Sequence, residues 1–354
     1  MKRTVSLFIA TLCCVIALAE APAGYYTNAK GKSESGLKTA LSTIISANYK
    51  TWSYDKLYTI YAESDVTDEG KVWDMYSTCT WTPGQKKCGS YKNVCDCYNR
   101  EHSIPQSWFD EKSPMKSDAF HVYPTDGKVN GQRSNYPFGE CSEGTSLGGK
   151  ALGRLGNSTF SGYSGKVFEP DDQYKGDFAR TYFYFVTRYQ DKMSSMSGAS
   201  FAKNTYPSLS SWSIDLFLKW HRQDPVSQKE IDRNDAVYSF QNNRNPFIDH
   251  PELAEYIWGS KKGQVWNGGT ALNNQALLEG VKIKNTTVTN GLLHIESEET
   301  AQLDYYIYSV TGQAMQNGTI EGAHNTITTL FPSGLYIIKL YAEGETRTLK
   351  FVIQ

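Results

Sequence analysis

The chain has 354 residues, of which 39% are hydrophobic and 21% charged, and its formal net charge is −1 at pH 7. This length is sufficient for a sizeable core and for two folded units. The near-neutral charge excludes a protein that attracts nucleic acid through a positive field over its whole surface. A nucleic-acid enzyme of this composition must therefore gather its lysines and arginines on one face.

The N-terminus has the pattern of a secretory signal peptide. Lys2 and Arg3 precede an apolar run over residues 5–18, and Ala17-Leu18-Ala19 offers small residues for cleavage. The apolar run is too short for a membrane span. We therefore expect residues 1–19 to be removed and the mature protein to be exported through the periplasm, either secreted or held at the cell surface.

Five cysteines remain after this segment: Cys79, Cys88, Cys95, Cys97 and Cys141. An odd number leaves at least one thiol unpaired or bonded to another chain. The sequence does not fix the pairing. A bond between Cys79 and Cys88 would close the turn between them, and Cys95 or Cys97 could reach Cys141. A zinc site is the weaker interpretation, because the spacings lack paired CxxC units and thiolates are usually oxidised outside the cell.

Apolar residues recur at three- and four-residue steps in several segments, and this spacing predicts helices. The segments are 36–49, 177–189, 212–221 and 228–240. The run 72–76 has the aromatic and β-branched character of a strand. The Asn-Pro and His-Pro pairs within 243–251 predict a loop.

The central part of the chain predicts a strand, a loop, a second strand and a helix, in that order. Residues 99–104 form the first strand, and Pro105 ends it because proline cannot continue a ladder. Residues 119–123 form the second strand, which Pro124 ends. Asp126 is a favourable residue at which to start the helix.

The character of the sequence changes after residue 258. Residues 259–277 are polar and rich in Gly and Asn, as is typical of a linker. From 278 to 354, short alternating runs are separated by Gly-containing turns, which suits a small β-sandwich. The predicted fold class is therefore α+β: a mostly helical domain over residues 20–258, followed by a small all-β sandwich domain.

A candidate site lies in the predicted strand and helix of the central segment. His102 can act as a general base because imidazole titrates near neutral pH. Adjacent side chains on a strand point to opposite faces, so Glu101 cannot share that role, but it could reach a metal if the strand ends or bends there, which Pro105 favours. Asn130 adds an amide oxygen, and such hard ligands favour Mg²⁺, with Ca²⁺ or Mn²⁺ also suitable. Arg133 lies on the same helical face and could hold a phosphate in bidentate fashion.

The strand residues also have purely structural interpretations. His102 could be a structural histidine, and Glu101 could be a solvated surface charge. His121 competes for the role of base, although its apolar neighbours favour a buried position.

The helix residues are open to the same question. Asn130-Gly131 could form only a turn, because this dipeptide favours turns. Arg133 could pair with Asp118 or Asp126 instead of a phosphate.

Three stretches around this site resemble the bacterial endonuclease I family: NREHSIPQSWF, DAFHVYP and KVNGQRSNYPFG. The similarity extends in separate blocks over roughly residues 25–258, including VWDMYS at 72–77 and YKGDFARTYFYFVTRY at 174–189. The resemblance implies a ββα-metal (His-Me finger) site in a secreted or periplasmic nuclease. It also implies cleavage of DNA and often RNA with little sequence preference, leaving 5′-phosphates.

The resemblance carries over to individual residues. It implies that His102 is the general base and that Glu101 and Asn130 bind one divalent ion. The basic insertion that better-studied relatives carry after the Glu-His pair is short in this sequence. The phosphate-binding arginine is therefore not fixed: Arg133 and Arg180 are the candidates, and either could instead be a salt-bridge partner in the core.

The end of the chain, FPSGLYIIKLYAEGETRTLKFVIQ, resembles the C-terminal sorting domain of type IX secretion cargo found in the Bacteroidetes. The resemblance implies a small β-sandwich that is recognised by the type IX secretion machinery and removed after the outer membrane is crossed. A binding module that stays attached is the alternative.

These patterns together predict a secreted, Mg²⁺-dependent, non-specific endonuclease. One alternative is a non-catalytic secreted binding protein, because 24 Tyr and 8 Trp could form aromatic platforms for glycans or single strands. Another is a metal phosphodiesterase that acts on small diesters. The sequence fixes neither the preference for DNA or RNA nor the oligomeric state.

Overall fold

The computed structural model of the protein describes residues 21–268, 281–297, 302–310, 313–342 and 345–354. The predicted signal peptide, residues 1–19, lies outside the described residues. The chain divides into two units, Met1–Gly268 and Gly269–Gln354. Within the described ranges, no helix combines the length and the apolar character that crossing a bilayer requires.

The helices of the first unit are α1 Glu34–Ser46, α2 Leu57–Ser64, α3 Gly127–Arg133, α4 Lys175–Arg188, α5 Ser211–Gln223, α6 Gln228–Gln241, α7 Pro246–Asp249 and α8 Leu253–Ile257. The four predicted helices correspond to α1, α4, α5 and α6, so those predictions are confirmed. Helix α7 lies inside the segment predicted to be a loop. Asn245 caps it by accepting from the backbone N–H of Phe247, and Pro246 occupies its first position.

Helix α4 lies in the core of the first unit. Every residue from Lys175 to Thr187 is buried. Tyr182 packs on Phe217 of α5 with 4.5 Å between the ring centroids, and burying a side chain of this size stabilises the fold by about 1.5–3 kcal/mol. The Tyr182 hydroxyl also donates to the carbonyl of Ser103 at 3.2 Å. The helix therefore supports the backbone that follows the candidate Glu-His pair.

The central segment forms an antiparallel hairpin of β1 Tyr98–His102 and β2 Val122–Asp126, followed directly by α3. Glu101 pairs with Tyr123 in the register, and His102 pairs with Val122. The predicted order of strand, loop, strand and helix is confirmed. Pro124 lies inside β2 instead of ending it, which is tolerated because this sheet has two strands and β2 has a free edge.

Asp126 joins the hairpin to α3. Its Oδ1 accepts from the backbone N–H groups of Lys128 and Val129 at 2.8 and 2.9 Å, which satisfies donors at the start of the helix. The prediction of a helix start at this residue is confirmed. The strand predicted over 72–76 is wrong: Val72 makes only an isolated bridge, and the chain then turns because Asp74 accepts from the N–H of Tyr76.

Neither of the disulfide bonds that the sequence suggested, Cys79–Cys88 or a bond to Cys141, is formed. The bonds are Cys79–Cys95 and Cys88–Cys97, and Cys141 is a buried free thiol. Among the described residues, one unpaired cysteine thus explains the odd count. The loop before β1 folds back on the strand, because the N–H of Tyr98 donates to the carbonyl of Lys86 and the N–H of Cys88 donates to that of Tyr98. This fold places Cys88 beside Cys97.

Cys141 lies next to a small sheet of the same unit, whose antiparallel strands are β3 Thr145–Ser146, β4 Arg154–Asn157 and β5 Lys166–Glu169. Its N–H donates to the Glu169 carboxylate at 2.8 Å. Burial raises the pKa of the Cys141 thiol to about 11.

Residues 259–268, which the sequence assigned to the linker, fold with the first unit. Trp266 is buried, its backbone bridges to Lys32, and its indole N–H donates to Glu252 at 3.1 Å. Of the predicted linker, residues 269–277 lie outside the described residues.

The second unit contains only strands among its described residues: β6 Lys282–Ile283, β7 Thr287–Val288, β8 Leu292–Glu296, β9 Gln302–Ser309, β10 Ala314–Glu321, β11 His324–Thr328, β12 Gly334–Ala342 and β13 Glu345–Ile353. One sheet has the order β10-β9-β12-β13-β7 and the other β11-β8-β6. Side chains from both sheets share one apolar core, among them Ile295, Ile307 and Ile338. The prediction of helix and strand content followed by an all-β C-terminal region is confirmed.

Candidate active site

A cleft of about 710 Å³ lies beside β1 and α3. Four of the residues proposed from the sequence line it: Glu101, His102, Asn130 and Arg133. Arg180 does not. The two elements come together because β1 pairs with β2 and α3 follows β2 without an intervening loop.

His102 is almost fully buried, and its ring orientation is fixed by one hydrogen bond. Nε2 lies 3.0 Å from the backbone carbonyl of Lys116. A carbonyl can only accept, so Nε2 must carry the proton and Nδ1 the lone pair of the neutral ring. Burial, with a contribution from His121, holds the pKa of His102 well below its usual value. The imidazole is therefore neutral near pH 7, with its lone pair on Nδ1.

His121 is fully buried next to this ring, with 5.6 Å between the two ring centroids. Its Nε2 bonds to the carbonyl of Met115 at 2.6 Å, and its ring packs edge-on against Phe185. Burial lowers its pKa to about 4. The expectation that this histidine is buried is confirmed, and it does not line the cleft.

Glu101 is buried, with 2% of the residue exposed. Both of its side-chain donors converge on one oxygen, Oε1: the Tyr76 hydroxyl at 2.8 Å and Arg133 Nη1 at 2.6 Å. Among the described residues, no side chain donates to Oε2, and the backbone N–H of His102 is a further partner of the carboxylate. Burial raises the pKa of Glu101 to about 6, while Arg133 and Tyr76 act in the lowering direction. The glutamate is therefore not the solvated surface charge that the sequence allowed.

Asn130 lies in the interior of α3, and the adjacent Gly131 is helical rather than part of a turn. A Cβ at Gly131 would collide with the hydroxyl of Tyr91, so the glycine allows this tyrosine to pack against the helix. Asn130 Nδ2 donates to Oδ1 of Asn99 at 2.7 Å. This bond fixes the amide and leaves Oδ1 of Asn130 as an acceptor without a hydrogen-bonded partner among the described residues.

Arg133 is fully buried beneath the cleft. Nη1 donates to Glu101 Oε1 and to the carbonyl of His102 at 2.7 Å, and Nη2 donates to the carbonyl of Ser103 at 2.6 Å. The arginine therefore ties α3 to the end of β1 and to the glutamate. It pairs with neither of the aspartates that the sequence offered.

Arg180 is also fully buried, in a separate ion pair within the core. Nε and Nη2 bind the two carboxylate oxygens of Glu230 at 2.5 and 2.7 Å, and Nη1 donates to the carbonyl of Asp224 at 2.8 Å. This arginine has no exposed surface with which to contact a substrate phosphate.

The donors around the cleft fit a hard divalent cation. Glu101 Oε2 and Asn130 Oδ1 are oxygen atoms without competing side-chain donors, and oxygen ligands are those that Mg²⁺, Mn²⁺ and Ca²⁺ prefer. A second cluster of ligand-type side chains among the described residues is Cys79, Cys95 and Asp126. Its two sulfurs form a disulfide, so they are not thiolate ligands.

Sequence reasoning missed Tyr76 and Asn99, which support Glu101 and Asn130. Asn99 could have been found, because it lies two residues before Glu101 and therefore on the same face of β1. Tyr76 lies 25 residues before Glu101, and nothing in the local pattern links the two.

Both units of the chain are similar to known protein families. The family model for Endonuclease I matches residues 33–252, and that for the secretion system C-terminal sorting domain matches residues 289–354. An extracellular ribonuclease of Bacillus amyloliquefaciens is 34% identical over 269 residues, which cover 72% of this chain and 84% of that protein. An extracellular deoxyribonuclease of Aeromonas hydrophila is 23% identical over 215 residues, covering 55% and 84%.

The match to the family model spans the hairpin, α3 and the supporting helices α4 to α6. All the residues that line or support the cleft fall within it. The protein is a nuclease with a secretion sorting domain, and the chain belongs to the Endonuclease I family.

Proposed function

We propose that this nuclease is a secreted, metal-dependent, non-specific endonuclease with a ββα-metal site formed by β1, β2 and α3. One observation carries the proposal: His102 Nδ1, which holds the lone pair of the neutral ring, and two oxygen atoms that accept from no described side chain, Glu101 Oε2 and Asn130 Oδ1, belong to residues that line the same cleft. A base and a cation at one phosphodiester are the requirements for metal-assisted hydrolysis.

Glu101 and Asn130 are the proposed metal ligands. Oε2 of the glutamate is available because Tyr76 and Arg133 both donate to Oε1, and Oδ1 of Asn130 is available because Asn99 holds the amide nitrogen. Mg²⁺ is the expected ion, with Ca²⁺ or Mn²⁺ as alternatives. When bound, the ion supplies charge neutralisation at the phosphate and at the departing 3′-oxygen.

His102 is the proposed general base. The carbonyl of Lys116 holds Nε2–H, so Nδ1 takes the proton from the attacking water. Removal of that proton by a neutral imidazole contributes about 10²–10⁴-fold to the rate. Attack at phosphorus with loss of the 3′-oxygen leaves a 5′-phosphate on the product.

We assign Arg133 to the positioning of Glu101 instead of to phosphate binding. Its three hydrogen bonds of 2.6–2.7 Å hold the carboxylate and the end of β1 in place. Arg180 stabilises the core through Glu230. Neither arginine therefore keeps the phosphate role that the sequence suggested.

The proposed substrates are DNA and RNA. The extracellular ribonuclease and deoxyribonuclease relatives support both. We propose that residues 1–19 direct export, that residues 20–258 act as the nuclease and that residues 278–354 are recognised by the type IX secretion machinery, as the match to a sorting domain supports.

Cleavage of plasmid DNA and of a structured RNA, measured with EDTA and after addition of Mg²⁺, tests this function. Chelation should abolish cleavage and Mg²⁺ should restore it. Glu101→Gln and Asn130→Ala should need higher Mg²⁺ concentrations and should turn over more slowly, whereas the surface variant Arg222→Gln should behave like the wild type. Cleavage that persists undiminished in EDTA would refute the metal-dependent mechanism.

A further inference from the structure

The wall of the cleft on the His102 side carries a group of cationic and aromatic residues that the mechanism above does not use. Its members are Tyr54, Tyr58, Lys87 and Arg100, and all four line the cleft. We call this group the cationic rim. Its chemistry bears on how much of the substrate the enzyme holds beyond the bond that it cleaves.

The alternation of side chains along β1 determines on which face of the strand Arg100 lies. It lies two residues before His102 and shares its face of the strand, whereas Glu101 points to the other face. Its Cζ lies 3.5 Å from the centre of the Tyr54 ring, and the His102 ring centroid lies 5.7 Å from the same ring. The guanidinium and the proposed base are therefore neighbours across a single tyrosine.

Arg100 is held by two hydrogen bonds of Nη1, and the Tyr54 hydroxyl is a further side-chain partner of its guanidinium. Nη1 donates to the carbonyl of Tyr54 at 2.9 Å and to the Asp55 carboxylate at 2.8 Å. Nε and Nη2 donate to no carbonyl or carboxylate of the described residues. The Asp55 side chain is 93% exposed, so this ion pair is weak. The Nε–Nη2 edge is thus a pre-oriented pair of donors of the kind that binds a phosphate in bidentate fashion.

Lys87 lies on the disulfide-bonded loop that folds back on β1. The Cys88–Cys97 bond and the bridge between Lys87 and Tyr98 hold its backbone. Its Nζ lies 4.9 Å from the centre of the Tyr58 ring. No carboxylate in the described ranges forms an ion pair with it, so its charge is available to a ligand.

Two other cationic side chains near the cleft already form ion pairs within the protein. Arg133 is buried under Glu101, and Lys116 pairs with Glu111 at 2.8 Å. The rim therefore supplies positive charge beside the base in a protein whose net charge is only −1. The ligand that fits a row of cations beside a hydrolytic centre is a polyanion with regularly spaced phosphates.

We infer that Arg100 and Lys87 bind the phosphates that flank the scissile phosphate, so that the enzyme acts on oligonucleotides far better than on a dinucleoside monophosphate. This inference rests on the proposed function for the position of the scissile bond. The dinucleotide has one phosphodiester and no flanking phosphate, so it cannot use the rim.

Two measurements test the inference on the full mature chain. The first is the ratio of kcat/KM for a ten-nucleotide single strand to kcat/KM for thymidylyl-thymidine, with Mg²⁺. Arg100→Gln should lower this ratio about tenfold, since a charge-assisted hydrogen bond is lost only with the longer substrate. The second is the affinity for the labelled ten-nucleotide strand in EDTA, which should also fall about tenfold, with the salt slope reduced by about 0.7 for the lost phosphate contact.

Arg222→Gln is the matched control, because Arg222 is a partly exposed, ion-paired arginine on α5 and does not line the cleft. Lys87→Gln should act in the same direction as Arg100→Gln, and circular dichroism should show both variants folded. An unchanged substrate ratio and an unchanged affinity in Arg100→Gln would overturn the inference, as would a wild type that binds no strand in EDTA. A wild type that binds but cleaves neither substrate would refute the proposed function while the affinity data still support the rim.

Discussion

Replacing Arg133 with methionine tests whether this buried arginine positions the proposed metal ligand. Arg133→Met keeps much of the aliphatic volume but removes the guanidinium, which makes hydrogen bonds of 2.6, 2.7 and 2.6 Å to Glu101, His102 and Ser103. The carboxylate of Glu101, 2% exposed, loses its cationic partner, and two carbonyls lose a donor.

The expected loss of stability follows from these contacts. Breaking a buried ion pair by removing one partner costs about 3–5 kcal/mol. The free energy of unfolding of a domain is only about 5–15 kcal/mol, so the variant should remain folded but be much less stable. All eight tryptophans lie between Trp52 and Trp266. Urea unfolding followed by tryptophan fluorescence therefore reports on the first unit alone.

The catalytic effect separates positioning from stability. Per folded molecule, the kcat of Arg133→Met should fall at least about 100-fold, because displacing a catalytic group by about 1 Å can lower the rate by that factor. Arg180→Met is the control, because Arg180 is equally buried and paired with Glu230 but lies outside the cleft. It should lose similar stability and keep its kcat. Equal losses of kcat in the two variants would refute the positioning role of Arg133.

Three further predictions follow from particular contacts. Tyr76→Phe removes one of the two donors to Glu101 Oε1 and should cost about 1–3 kcal/mol of unfolding free energy, together with a higher Mg²⁺ requirement in a titration of plasmid cleavage; an unchanged requirement would contradict a role in holding the ligand. Glu169 accepts from Arg154, Lys175 and the N–H of Cys141, and the pKa of Glu169 is lowered to about 2. Because the folded pKa of Glu169 lies below the unfolded value of about 4.3, its contribution to the free energy of unfolding should be complete above that value and lost as the pH falls toward 2. Glu169→Gln should flatten this part of the pH dependence in urea unfolding, and an unchanged pH profile would count against the assigned pKa. Replacing Cys141 with serine should leave both disulfides and the cleavage rate unchanged, because this thiol is unpaired; a mixture of disulfides by peptide mapping would contradict the pairing described above.

The local part of the site could be predicted from the sequence. The hairpin and α3 follow from short apolar runs and from Asp126, which caps a helix with its own side chain, and both depend on neighbours within a few residues. The position of His121 followed in the same way from its apolar neighbours. The four long helices could be identified because their apolar spacing extends over several turns.

The contacts that decide the role of each arginine could not be predicted in this way. Arg133 and Arg180 are equally plausible phosphate ligands by residue type. Each instead pairs with a distant carboxylate: Arg133 with Glu101, 32 residues away, and Arg180 with Glu230, 50 residues away. The disulfide pairing could not be predicted for a similar reason, because it depends on how the loop before β1 folds back onto the strand. The role proposed for Arg100 could not be predicted either, because it depends on the position of Tyr54 relative to β1, which only the tertiary fold determines.

The most direct test of the account is the single-turnover rate of plasmid cleavage by His102→Ala at saturating Mg²⁺, with DNA affinity measured on the same preparation. The account predicts a rate at least about 100-fold below that of the wild type, in keeping with the loss of a general base, with affinity for DNA retained. A variant that cleaves plasmid as fast as the wild type would contradict the assignment of His102 as the base.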